Sequence, residues 1–189
     1  HQFEEWARDF ESPCPVRLID DGSTSDDDKR GGVADMALAW DEASRDAETE
    51  VLVLAGDNLL EFQMRLYAET FRRLARPMML VRHFPEGAPP GRFGEVVADQ
   101  TGRITRFREK PAKPESPYAA TCIYFFPPSV RARLREYLAA GGEPDAPGHF
   151  MAWLSEREEV HAVPFVGTAH DVGNLETLKA ARAAYEGRD

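Results

Sequence analysis

Three short segments hold residues whose types and placing could do chemistry. Asp57 stands in Gly56-Asp57-Asn58, directly after the continuous apolar run Glu50–Ala55 (EVLVLA). In an open α/β sheet, ligands collect at the carboxyl ends of strands, where turns expose polar groups. A carboxylate there suits Mg²⁺, which takes oxygen ligands and commonly one or two carboxylates together with substrate phosphates. The same tripeptide also reads as an ordinary turn whose Asp caps the next helix. Asp171, in Ala169-His170-Asp171-Val172-Gly173-Asn174, lies between a strand and the last helix and carries the same two readings. Glu109-Lys110-Pro111 closes another strand. Lys could receive a phosphate and Glu could accept hydrogen bonds from hydroxyls, a pairing suited to a sugar phosphate. The plainer reading is a surface ion pair at a strand end.

If these segments form one site, Asp57 and Asp171 must converge, since a shared Mg²⁺ needs both carboxylates about 2.0–2.1 Å from it. Glu109 and Lys110 must then line the same cleft. Neighbours on a strand point to opposite faces, so both can reach a ligand only where the strand ends or twists.

The elements that would position them follow from periodicity. Residues 1–10 place Phe3, Trp6, Ala7 and Phe10 on one helical face. Val16–Ile19 reads as a short strand, followed by the acidic loop DDGSTSDDDK (20–29) and a helix over 31–45 with Val33, Met36, Ala37 and Trp40 inward. The 50–55 run reads as a strand buried on both faces. A helix over about 61–74 and a strand over 78–81 come next, then a hairpin of 95–98 and 104–108 around Thr101-Gly102. Residues 119–126 form a further apolar strand. Ser129 can cap a helix running to about 140. A short helix (150–156), a strand (160–165) and a final helix (174–186), with Leu175, Leu178, Ala181 and Tyr185 inward, complete the chain.

The composition, 42% hydrophobic and 30% charged, is that of a globular α/β protein whose 189 residues suffice for one sizeable domain but hardly for two. A formal net charge of −10 argues against a nucleic-acid surface, which needs clustered Lys and Arg. Small phosphorylated ligands remain compatible with an acidic chain when a metal ion and a few local cations receive them. No run approaches the roughly 20 apolar residues of a membrane span, the start lacks a signal-peptide pattern, and a cytoplasmic location is expected. Cys14 and Cys122 suggest neither a disulfide framework nor a thiolate zinc site.

Taken in order, VLVLAGDN (51–58), FGEVV (93–97), RITRFREKP (103–111), AATCIYFFPP (119–128), DAPGHFMAWL (145–154) and HDVGNLETL (170–178) resemble the sugar-phosphate nucleotidyltransferases that include glucose-1-phosphate thymidylyltransferase. DDGSTSDDDKRGGVAD (20–35) resembles the nucleotide-side loop of one branch of them. The resemblance implies a three-layer α/β/α Rossmann-like fold with a mostly parallel mixed sheet, here without its first strands, residues 1–189 being the C-terminal portion of one domain. It implies that Asp57 and Asp171 are the catalytic carboxylates holding Mg²⁺, that Glu109 binds sugar hydroxyls, and that Lys110 binds the sugar phosphate. Gly94, Ala120 and Tyr124 would line the same pocket, and Gly31 would sit near the nucleotide base. The implied substrates are a nucleoside triphosphate and a sugar 1-phosphate, giving a nucleotide sugar and pyrophosphate, with homo-oligomers possible in such enzymes.

The sequence departs from the resembled pattern in several places. A Gly-rich loop of the type G-G-x-G-T-R and a following Pro-Lys pair precede these motifs in such enzymes. About 50–60 further residues in front of His1, a figure resting on typical βαβ lengths, are therefore expected to carry them. The 189 residues alone are expected to release no pyrophosphate. Cys122 stands where Gly is usual, Ala169 where an aromatic residue is usual, and Ala34 where Gly is usual. A non-catalytic nucleotide-sugar-binding relative, or a cytidylyltransferase acting on choline phosphate or a similar alcohol phosphate, is the alternative. A glycosyltransferase would show a D-x-D pattern after the 51–55 strand, and none stands there.

Overall fold

In the computed structural model, which describes residues 2–25, 27–43 and 48–186, strand β6 (Tyr118–Phe126) is the axis of the main sheet. Its nine residues, YAATCIYFF, are small, β-branched and aromatic and include no Pro, so the whole run can pair on both edges. Along one edge it pairs antiparallel with β3 (Met78–His83), whose outer edge takes β7 (His161–Pro164) in parallel. Its other edge is shared. Tyr118 and Ala119 pair with β4 (Glu95–Ala98), which continues the sheet into β5 (Ile104–Arg108), while Ile123–Phe126 pair with β1 (Val51–Leu54).

Two apolar layers clamp this sheet. Helices α2 (Gly32–Ala43), α4 (Val130–Ala139) and α5 (Pro147–Ser155) cover one face, burying Val33, Trp40, Leu134, Phe150 and Leu154 against Met79, Val96, Tyr124 and Phe126. On the other face, Phe71 of α3 (Met64–Leu74) and Phe165 pack on Met78, Leu80, Ile123 and Phe125. Alternate residues of β3 and β6 thus enter opposite layers, which is why both strands read as unbroken apolar runs. The three-layer α/β/α arrangement matches the sequence expectation. A second, two-stranded sheet joins β2 (Asn58–Glu61) antiparallel to β8 (Thr168–Asp171).

Several expectations need correction. Among the described pairings of the main sheet only β3–β7 is parallel, so the sheet is mixed but chiefly antiparallel. Strand β1 is not buried on both faces: Leu52 and Leu54 are 39% and 47% exposed, because none of the described residues forms a layer over that side of it. Val16–Ile19 forms no strand. Residues 58–61 pair as β2 and delay the next helix to Met64. Helix α1 (Gln2–Asp9) exists but buries none of its residues, and Ser129 makes no side-chain cap bond. In α6 (Leu175–Tyr185) Ala181 is buried, whereas Leu175 and Tyr185 are exposed. Asn174 caps α6 through the N–H groups of Glu176 and Thr177. His1, Asp26, Ser44 and Arg45, which fall within the expected first helix, acidic loop and second helix, lie outside the described residues. No helix among the described residues is long and apolar enough to cross a membrane.

The β4–β5 hairpin is fixed by a buried carboxylate. Glu95 is 1% exposed and accepts from Arg108 Nε at 2.6 Å, from Ser116 N at 2.7 Å and from Glu115 N. Burial pushes its pKa up, but the guanidinium and the two backbone N–H groups outweigh that and hold it at about 2. A depressed carboxyl stabilises the fold fully above its unfolded value near 4.5, and that contribution fades as pH falls from there through about 2. Glu95→Gln should cost about 2–4 kcal/mol in urea unfolding at pH 7. The loss should shrink steadily when the same unfolding is followed down to pH 2.5; a cost independent of pH would show that the charge contributes nothing.

Candidate active site

The two occupants of the shared β6 edge part company at residues 120–122. Ala120 N donates to Gly94 O (2.8 Å) at the end of β4, and Ala55 N donates to Cys122 O (3.2 Å) at the end of β1. Between them opens a cleft of about 360 Å³. Asp57, Gly94, Glu109, Lys110, Ala120, Tyr124 and Asp171 all line it.

The carboxylate pair is made by the small sheet. After β1 the chain turns through Gly56-Asp57 and pairs as β2 with β8, setting Asn58 opposite Asp171. Asp57 O accepts from Val172 N at 2.8 Å, so the two acidic residues stand on adjacent rungs at one end of the ladder. Asn58 Nδ2 donates to Asp57 Oδ1 at 2.9 Å, which orients that carboxylate. Both residues are exposed to the cleft. The pairing of β2 with β8 thus brings together the backbones of residues 114 positions apart in sequence; successive rungs face opposite sides of a ladder, and Asp57 reaches the cleft from the turn before β2.

Strand β5 ends at Arg108, and Lys110 takes φ 41°, in the left-handed region. That reversal lets both Glu109 and Lys110 reach the cleft, with Lys110 Nζ 3.9 Å from Glu109 Oε1. The Glu109 carboxylate lies in a slot that only glycines permit. A Cβ on Gly94 would stand 2.6 Å from Phe107 Cζ and 3.1 Å from Glu109 Oε2, and one on Gly148 would stand 1.8 Å from the same oxygen. Gly148 is in the first turn of α5, whose positive end favours an acidic group.

The floor is β6 itself. Met79 pairs with Tyr124 and Val81 with Ala120, so three residues, Thr121–Ile123, bulge opposite Leu80. Thr121 Oγ1 closes the bulge by donating to Leu80 O at 2.9 Å, and Cys122 at its centre takes φ 50°. Bulges beside active sites serve to re-aim a side chain. Burial raises the Cys122 thiol pKa; the Tyr124 hydroxyl bonded to it works the other way, and Asp57 and Glu109 add to the rise. Complete burial pushes the Tyr124 hydroxyl well above its usual range. The thiol therefore stays protonated at neutral pH.

Gly31 is not part of the cleft. Its φ of 93° and its backbone packing, with a built Cβ 2.5 Å from Pro144 O, make it the seam between the 20–32 loop and residues 144–145. Sequence reasoning missed Gly148, Arg82, Arg92 and Asp145, all of which line the cleft. Arg82 and Arg92 carry one signal that could have found them: cations close to the aromatic Phe84 and Phe93, Arg82 near the end of β3 and Arg92 in the segment that follows it.

The profile of the nucleotidyl transferase family matches residues 19–188, nearly the whole chain. The chain belongs to the nucleotidyl transferase family. Among solved structures it is similar to a protein from Bacillus anthracis, named as a glucose-1-phosphate thymidylyltransferase and solved with sucrose, at 26% identity and TM-score 0.69, covering 85% of this chain and 63% of that one. A UDP-glucose pyrophosphorylase complexed with UDP-glucose is similar in fold, at 16% identity and TM-score 0.71, covering 85% and 64%. This nucleotidyl transferase chain thus spans less than two thirds of the length of either structure.

The two glycines of different function can be told apart by substitution. Gly148→Ala should displace the carboxylate of Glu109, weakening any ligand that Glu109 contacts by about tenfold or more, with under about 1 kcal/mol lost in stability. Gly31→Ala should instead cost about 1–3 kcal/mol in thermal or urea unfolding, because both the left-handed backbone and Pro144 oppose a Cβ, and should leave ligand affinity intact. The opposite pattern would reverse the two assignments.

Proposed function

We propose that this chain forms the acceptor side and metal-binding part of an enzyme that transfers a nucleotidyl group from a nucleoside triphosphate to a sugar 1-phosphate, releasing pyrophosphate. One observation carries this reading: two carboxylates, a Glu-Lys pair and a glycine-lined slot, from four separate strands and one helix, border a single cleft. The similarity to a protein named as a glucose-1-phosphate thymidylyltransferase supports a hexose 1-phosphate as the acceptor.

Asp57 and Asp171 fit a divalent ion of the Mg²⁺ kind, because both offer hard carboxylate oxygens and both line one open cleft. Two carboxylates leave most of the coordination to water and phosphate oxygens, as that ion prefers. When bound, the ion would neutralise phosphate charge. The chain's own groups bind and orient. Lys110 offers a cation to the sugar's phosphate, and Glu109 accepts hydrogen bonds from sugar hydroxyls. The phosphate oxygen is already an anion and needs no side chain to activate it, so rate would come from holding it in line with the α-phosphate.

Isothermal titration with glucose 1-phosphate in Mg²⁺ tests this. Lys110→Ala should weaken binding about tenfold or more. Asp57→Asn should abolish the enhancement of affinity by Mg²⁺ while leaving metal-free binding within about threefold. Unchanged affinity in both variants would remove the reading.

A further inference from the structure

Arg82 is the second-last residue of β3, and its side chain crosses from the main sheet to the small one. Nη1 donates to Ala169 O at 3.3 Å, two residues before Asp171, and the guanidinium lies over the Phe84 ring at 5.0 Å from its centroid. The group is half-buried and lines the cleft with Glu109, Lys110 and Asp171. In a chain with 33 acidic residues, arginines such as Arg17, Arg65, Arg106, Arg108, Arg131 and Arg133 all engage a carboxylate. Arg82 engages none among the described residues, and the carbonyl of Ala169 takes one of its five N–H donors.

We infer that Arg82 is the residue by which this cleft recognises a phosphoryl group, an assignment that builds on the sugar-phosphate reading above. A guanidinium is planar and presents its donors as a rigid fork matched to two phosphate oxygens. Here the fork is oriented before any ligand arrives, by a ring beneath it and a carbonyl beside it. Lys110, by contrast, is an exposed point charge on a flexible stem. Lys110 therefore supplies attraction, and Arg82 supplies geometry. Because the same guanidinium holds the carbonyl of Ala169, a phosphate bound to it also steadies the strand that carries Asp171. The phosphate and the carboxylate end of β8 are thereby tied to one group.

The test uses the full chain and three probes: glucose 1-phosphate and inorganic phosphate by titration, and methyl α-glucoside by NMR. Arg82→Gln should weaken both phosphorylated probes by about tenfold to a hundredfold, and leave the uncharged glucoside within about twofold. Arg82→Lys, which keeps the charge but not the fork, should fall between the two. A purely structural role would weaken all three probes together, and that result overturns the assignment, as does an unaltered phosphate affinity or a parent chain that binds neither anion. If phosphate binding depends on Arg82 but glucose 1-phosphate binds no more tightly than phosphate itself, the assignment stands and the sugar reading falls.

Discussion

The handover along one edge of β6 is the constraint on which the rest of the structure depends. A strand edge can hydrogen-bond to only one neighbour at each residue. Because β4 takes Tyr118–Ala119 and β1 takes Ile123–Phe126, the two neighbours keep one bond each to the intervening backbone, at Ala120 and at Cys122, and diverge between those bonds. The cleft opens where they diverge. The bulge at Thr121–Ile123 belongs to the same event, since it lets β3 stay paired along the other edge while β6 bends at the gap.

Two acidic residues close in sequence show how differently the same chemistry can be used. Glu95 is sealed beneath the hairpin, with Arg108 and two backbone N–H groups saturating its oxygens, and so it builds the wall that carries Gly94. Glu109 follows Arg108, the residue paired with Glu95, at the same open end of the hairpin. It keeps only a loose 3.9 Å approach to Lys110, in a slot cleared by Gly94 and Gly148. A saturated carboxylate can hold structure together but offers a ligand nothing; a loosely held one can still accept hydrogen bonds from hydroxyls.

Cys122 records what the bulge asks of its central residue. A left-handed backbone costs an ordinary side chain on the order of 1 kcal/mol relative to glycine. The thiol stands beside the Tyr124 hydroxyl, which is buried with it at the floor of the cleft. The position thus stays closed and largely apolar at the cleft floor instead of exposing backbone.

Much was written locally. The order of most helices and strands, though not β2, β8 or the strand expected at 16–19, the hairpin at 95–108, the apolar runs of β3 and β6, and the identity of Asp57, Glu109, Lys110 and Asp171 as candidates follow from period, residue type and motif order. Tertiary structure decided the rest. Leu52 and Leu54 read as core, yet none of the described residues covers one face of β1, because burial depends on what the chain lays over a strand and not on the strand's own hydrophobicity. Antiparallel direction in the main sheet, the pairing of β2 with β8, and the approach of Gly148 to Glu109 likewise depend on segments far apart in sequence. Gly31 and Gly148 look alike as letters. One is required by its own φ and by Pro144, the other only because a carboxylate from another strand occupies the space where its Cβ would be, and no local pattern carries that information.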